Sequence, residues 1–171
     1  ALARLAAEAQ PEDVAVIFFA GHGAADGKDF YLLPADASLT APALAGISTG
    51  DLAKAITKVP ARKKVLIVDA CQSGGGLSKL ATAIPRTPGT SIVLIASSLA
   101  SAMEIRRLGH GILTHVLLEA VGDQPFTAMS LMRVVAEAVR GESSKYFPAR
   151  PQQVTTISTG EDFPLVAGAA R

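Results

Sequence analysis

Two short motifs carry the groups that could do covalent chemistry. His22 stands in Ala20-Gly21-His22-Gly23 at the end of one apolar run, and Cys71 stands in Asp69-Ala70-Cys71-Gln72-Ser73-Gly74 at the end of another. Cys71 is the only cysteine in the 171 residues. A free thiol is only a few per cent thiolate at neutral pH, and a neighbouring imidazole raises that fraction or accepts the proton during attack. Gly21 and Gly23 leave the backbone around His22 uncluttered, so a substrate carbonyl could approach. The amides of Gly23 and Cys71 could then donate to the developing oxyanion, roughly 3–4 kcal/mol per donor. Alone, each residue has a plainer reading: a buried cysteine is commonly a small core residue, and a strand-end histidine a hydrogen-bonded structural one. Their joint placement, each after a buried strand and each flanked by glycine, favours chemistry.

Such placement demands strands of the right kind. Val14 to Ala20 (VAVIFFA), Val65 to Ala70 (VLIVDA) and Ile92 to Ala96 (IVLIA) are rich in β-branched residues and lack polar alternation. That pattern predicts strands buried on both faces of a parallel sheet. In open α/β sheets, sites form at the carboxyl ends of the strands, where His22 and Cys71 both fall. Val154 to Ile157 alternates with threonine and predicts an edge strand. Helical spacing predicts helices over Ala1 to Glu8, Asp51 to Lys58 (capped by Ser48 or Thr49), Ile112 to Val121, and Leu131 to Arg140 with Ser130 as cap. Asp26 to Asp36 (DGKDFYLLPAD) reads as a small ribbon or ordered loop outside the main sheet. Residues 72–90 and 141–152, rich in Pro, Gly and Ser, read as flexible surface loops. The alternating order predicts one α/β domain over 1–171, with three layers, a mostly parallel sheet flanked by helices, and right-handed crossovers. About four strands are few for such a sheet. The first one or two are therefore expected to be absent, and the initial Ala suggests a processed or trimmed chain.

Composition removes other classes of function. Sixteen Lys and Arg against fifteen Asp and Glu, with no basic block, lack the electrostatic signature of a nucleic-acid binder. No apolar run reaches the ~18 residues of a membrane span, and nothing resembles a signal peptide. A single cysteine excludes a disulfide framework and suggests a reducing, cytoplasmic setting. The acidic residues show no calcium or zinc ligand spacing, so the sequence requires no metal or other cofactor, while calcium dependence is undecided. A second Gly-His-Gly at 109–111 precedes a helix and has no nucleophile beside it, so His110 reads as a loop residue and His115 as packing or surface. Gly21-x-Gly23-x-x-x-Gly27 imitates a dinucleotide fingerprint but opens no helix. Gly74-Gly75-Gly76 reads as a mobile loop near the thiol.

The paired motifs resemble the caspase-like cysteine peptidases, with bacterial caspase homologues and metacaspases nearest in pattern. His22 lies 49 residues before Cys71. The known caspase separation is about 50 residues, so the spacing is part of the resemblance and not separate support for it. Asp26-Gly27 through Leu33-Pro34-Ala35-Asp36 is similar to the family's DG…LLPADA segment. Gly109 to Ala120 (GHGILTHVLLEA) is similar to its G-x-G-x-x-T-x-x-L-L-E-A stretch, and Gly160 to Leu165 to its G-x-D-F signature. The resemblance implies a thiol endopeptidase acting on protein or peptide substrates. It also implies a Cys71–His22 dyad, an oxyanion hole from the amides of Gly23 and Cys71, and a six-stranded sheet.

Asp69 holds the position where animal caspases carry the Gln that binds substrate aspartate. Metacaspases have Asp there, which implies a pocket for basic side chains. At an effective dielectric of 20, opposite charges at 4 Å attract by about 4 kcal/mol and like charges repel similarly. Cleavage after Arg or Lys is therefore expected; the plainer reading of Asp69 is a hydrogen-bonded structural carboxylate. Ala20 stands where metacaspases often have Ser, so that polar group is missing. Glu104, Arg106 and Arg107 fall where caspase-like enzymes border the substrate groove. Arg86, Arg106, Arg107, Arg140 and Lys145 are candidate self-cleavage sites. A separate N-terminal fragment or partner chain could complete the sheet. The alternative is a catalytically silent caspase-like scaffold.

Overall fold

The computed structural model describes residues 1–26, 29–37, 41–70, 73–97, 104–105, 108–121 and 126–166. In chain order the elements begin with α1 (Leu2–Glu8), β1 (Val14–Asp26), β2 (Asp29–Leu33), α2 (Pro42–Ala45), β3 (Ile47–Ser48) and α3 (Thr49–Thr57). There follow β4 (Lys63–Ala70), α4 (Ser73–Ala83), β5 (Ser91–Ser97), β6 (Glu104–Ile105) and β7 (His110–Gly111). The chain continues through α5 (Ile112–Ala120), β8 (Phe126–Thr127), α6 (Ala128–Tyr146), β9 (Val154–Thr159) and β10 (Pro164–Val166).

The apolar runs became the centre of a six-stranded sheet of order β3-β2-β1-β4-β5-β9. β1, β4 and β5 are mutually parallel, while β9 runs antiparallel along β5 at one edge. In β4 and β5 the lack of polar alternation has its cause in burial on two sides. Leu66, Val68 and Ala70 of β4 pack with Leu52 and Ile56 of α3 and Leu77 and Leu80 of α4. Val65 and Ile67 pack against Ile112, Leu113 and Val116 of α5 and Val135 and Val139 of α6. Successive strand residues point to opposite faces, so every position needs an apolar side chain. The result is the three-layer α/β arrangement, with a mixed sheet.

Four expectations are corrected. The ribbon after His22 is not outside the sheet: β2 pairs antiparallel with the extended end of β1, and β3 with β2, which raises the strand count from four to six. Residues 72–90 are not one loop, because 73–83 form α4, with Gly74 and Gly76 buried. Gly76 is used for close packing: a Cβ there would overlap the ring of Phe30. Residues 141–152 are also not one loop, since α6 continues to Tyr146. That helix starts before its expected cap. Thr127 Oγ1 accepts from Ser130 N and Ser130 Oγ accepts from Thr127 N, a reciprocal capping box in which Ser130 is the inner partner. Ser48 caps α3 as expected, accepting from Asp51 N at 3.1 Å.

Among the described residues, one side of the first strand has no strand paired to it: from Val14 to Gly21, β1 pairs with β4 alone, and β2 joins it only from His22 onward. Along that stretch Val16 and Phe18 are 56% and 49% exposed, so this run, unlike β4 and β5, is not buried on both faces as its sequence predicted.

Candidate active site

The described parallel ladder between β1 and β4 runs to Ala20↔Asp69 and Gly21↔Ala70. On its other side β1 pairs with β2, with His22 opposite Leu33 and Gly23 opposite Leu32. His22 follows the last described pair of the parallel ladder, and it is exposed. The motif does not end the strand, as its sequence suggested; it marks where the strand changes partners. No helix opens there, which disposes of the dinucleotide reading of Gly21 to Gly27.

Cys71 and Gln72 lie outside the described residues, and with them the thiol and the Cys71 amide expected in the site. The residues on either side of them are held closely. Ala70 N donates to Ser97 Oγ at 3.0 Å, and Ser73 Oγ donates to Ser97 O at 2.7 Å, all in the buried interior. Ser97, the last residue of β5, therefore anchors both flanks of the Cys71 segment. Helix α4 begins at Ser73, two residues after Cys71.

Asp69 is 5% exposed, and its two carboxylate oxygens differ in surroundings. Oδ2 accepts from Thr114 N at 3.1 Å and Thr114 Oγ1 at 2.6 Å. Oδ1 is buried and has no hydrogen-bond partner among the described residues. Thr114 is the third residue of α5, whose N-cap, Gly111, has no side chain to satisfy the first-turn amides. Asp69 supplies that missing cap from a neighbouring strand, and the positive end of the helix favours its charge. The approach needs a glycine, since a Cβ at Gly111 would overlap Asp69 Oδ2. The structural reading of Asp69 therefore holds for one oxygen and leaves the other unexplained.

The remaining sequence candidates separate. His110 is exposed in the short β6–β7 ribbon, paired with Ile105. His115 is half-buried on α5, its Nε2 3.4 Å from Glu119 Oε1. Glu104 opens β6, while Arg106 and Arg107 lie outside the described residues, as does Gly27. Arg86 is exposed on the loop after α4; Arg140 is helical, as expected, and Lys145, expected in the loop 141–152, is also helical. Among the described residues no three His, Cys, Asp or Glu side chains gather as a metal site. No helix there is long and apolar enough to cross a membrane.

The Gly160 to Leu165 signature is structural. Asp162 Oδ1 accepts from Met129 N at 3.0 Å at the start of α6 and from Phe163 N at 2.9 Å. Bonds from Thr127 and these amides hold its carboxyl below the usual range. Phe163 is buried, and its carbonyl accepts from Ala128 N. Gly160 has φ +79°, and a Cβ there would overlap Ser91 and Thr90.

A three-layer α/β domain whose histidine motif follows the last described pair of β1 with β4, the parallel strand that leads toward the cysteine motif, is of the class to which caspase-like peptidases belong. Residues 1–162 match the model of the caspase domain family, and the chain belongs to that family. No curated protein sequence matches the chain. Sequence reasoning assigned no role to Ser97, Thr114 or Gly111. The last two stand within the quoted Gly109 to Ala120 stretch, which was the only signal for them.

Proposed function

We propose that this caspase-family chain is a cysteine endopeptidase that uses a Cys71–His22 dyad to cleave after Arg or Lys. The carrying observation is the register: Gly21↔Ala70 is the last described pair of the β1–β4 ladder, and His22 and Cys71 are the residues that follow it in sequence. In the reaction the His22 imidazole takes the thiol proton as Cys71 Sγ attacks the scissile carbonyl. The amides of Gly23 and Cys71 donate to the oxyanion. Collapse expels the amine, which leaves with the proton from the His22 imidazolium. Water, deprotonated by His22, then hydrolyses the thioester and restores the thiol. The start of α4 two residues after Cys71 supports this chemistry, since a helix N-terminus favours a thiolate.

Asp69 carries the specificity. A buried carboxylate oxygen with no donor among the described residues calls for one, and a substrate guanidinium or ammonium supplies both donor and countercharge. Of the expected self-cleavage sites, Arg86 has the accessible, non-helical setting that a peptidase needs. A strand from an N-terminal fragment or partner chain is the proposed cover for the open side of β1. The second reading, a silent scaffold, keeps the fold without turnover.

An Arg-directed, thiol-reactive probe separates the two readings. Labelling of the protein that disappears in Cys71→Ala supports the enzyme; equal labelling of both proteins would sink it.

A further inference from the structure

Both donors of Thr114 converge on Asp69 Oδ2, at 3.1 and 2.6 Å, and none of the described residues donates to Oδ1. The carboxylate is thereby divided into one anchored oxygen and one unspent oxygen. We infer that Thr114 is a specificity-determining positioning residue: it fixes the direction of Asp69 Oδ1 and so sets the preference for basic side chains. This rests on the reading of Asp69 as the acidic group of the specificity pocket.

Residue types at three positions make the device. Asp69 on β4 is short enough to reach the first turn of α5 without entering it. Gly111 leaves room, because a Cβ would occupy the place of Oδ2. Thr114 offers an amide and a hydroxyl that both reach Oδ2. A hydrogen bond to an ionised acceptor is short and roughly twice as strong as a neutral one. With the hydroxyl removed, one amide holds the carboxylate, which can then turn about its Cβ–Cγ bond. Valine is more disruptive than simple removal, since a methyl group cannot remain 2.6 Å from an oxygen and must displace it. Thr114 itself touches no substrate in this scheme and acts only through Asp69.

The test compares two fluorogenic peptides, identical except that one ends in arginine and the other in citrulline, its uncharged counterpart of similar shape. For Thr114→Val the arginine-to-citrulline ratio of kcat/KM is expected to fall about tenfold, from the weakened hold on a charged acceptor. The loss should lie in KM for the arginine peptide, with the citrulline peptide unchanged within about twofold. Thr114→Ser, which keeps both donors, should restore the ratio. The ratio is taken within one preparation, so a smaller folded fraction cancels; if the valine variant does not fold, Thr114→Ala makes the same comparison. Asp69→Asn is measured alongside. A ratio that collapses in Asp69→Asn but is unaltered in Thr114→Val overturns the role of Thr114 and leaves the acidic pocket standing. A ratio unaltered in Asp69→Asn overturns the pocket and this inference with it.

Discussion

The amide of Ala70 donates to the hydroxyl of Ser97 at 3.0 Å, joining the residue before Cys71 to the last residue of the neighbouring strand. Ser97 Oγ also lies 3.2 Å from Ala70 O, and its carbonyl takes the Ser73 hydroxyl from the other flank. One serine thus fixes the backbone on both sides of the segment that holds Cys71, the proposed nucleophile. Thiol attack requires positioning to a fraction of an ångström, and a buried anchor provides it without touching substrate.

Ser97→Ala leaves the Ala70 amide without its partner in the core. An unsatisfied buried donor costs about 1–3 kcal/mol, and in a chain of this length each of these lowers the melting temperature by about 2–4 °C. Turnover should fall more than KM rises. Calorimetry and steady-state kinetics check both; unchanged melting with unchanged kcat would show that the anchor is dispensable.

His22→Ala should lower kcat by roughly a hundredfold to ten-thousandfold, the range of a lost general base. The melting temperature should stay within a degree or so, because the ring is exposed and has no hydrogen-bond partner among the described residues. Activity on the arginine peptide against thermal unfolding separates these outcomes. A variant that loses both together would make His22 a structural residue.

Two adjacent glycines of α4 should respond with opposite sign. Gly76→Ala drives a Cβ into the Phe30 ring and should destabilise by about 1–3 kcal/mol, the usual cost of overpacking. Gly75 is exposed with no atom within 4 Å of a built Cβ, so Gly75→Ala should stabilise by about 0.5–1 kcal/mol through helix propensity. Urea unfolding of both variants tests the pair, and the same sign in both would contradict the packing.

The cap that Asp162 places on α6 predicts an acid sensitivity. Its folded pKa is depressed by the bonds it accepts at that helix start. Unfolding therefore raises its proton affinity, and its contribution to stability is present above the ordinary aspartate value of about 3.9. That contribution is lost as pH falls through the lower, folded value. Asp162→Asn should consequently melt below the wild type at neutral pH, with the gap closing below about pH 4. Thermal unfolding across that range reads it; a gap that persists at the acid end would point to packing and not to the charge.

Much of the site was legible along the chain because its signals are local. Apolar runs without polar alternation state that a strand is buried twice, which holds for β4 and β5 but not for β1, where Val16 and Phe18 are exposed; the motifs that follow the runs state where a parallel sheet collects its chemistry. The sequence alone therefore determined the central strands, the candidate dyad and the family resemblance. It misled at 72–90, where three successive glycines argue against a helix. Packing overrode that propensity, since the missing side chains let α4 close on Phe30. It also stopped β1 at Ala20, because pairing with β2 sustains the strand where hydrophobicity does not. The partners of Asp69 and Ala70 were beyond its reach. Thr114 is 45 residues from Asp69, and Ser97 is 27 from Ala70. Nothing in either residue type announces its partner; only strand register and the seating of α5 on the sheet bring donor and acceptor together. Local composition chose the elements, and the tertiary fold decided which oxygen of Asp69 was anchored by Thr114 and which has no partner among the described residues.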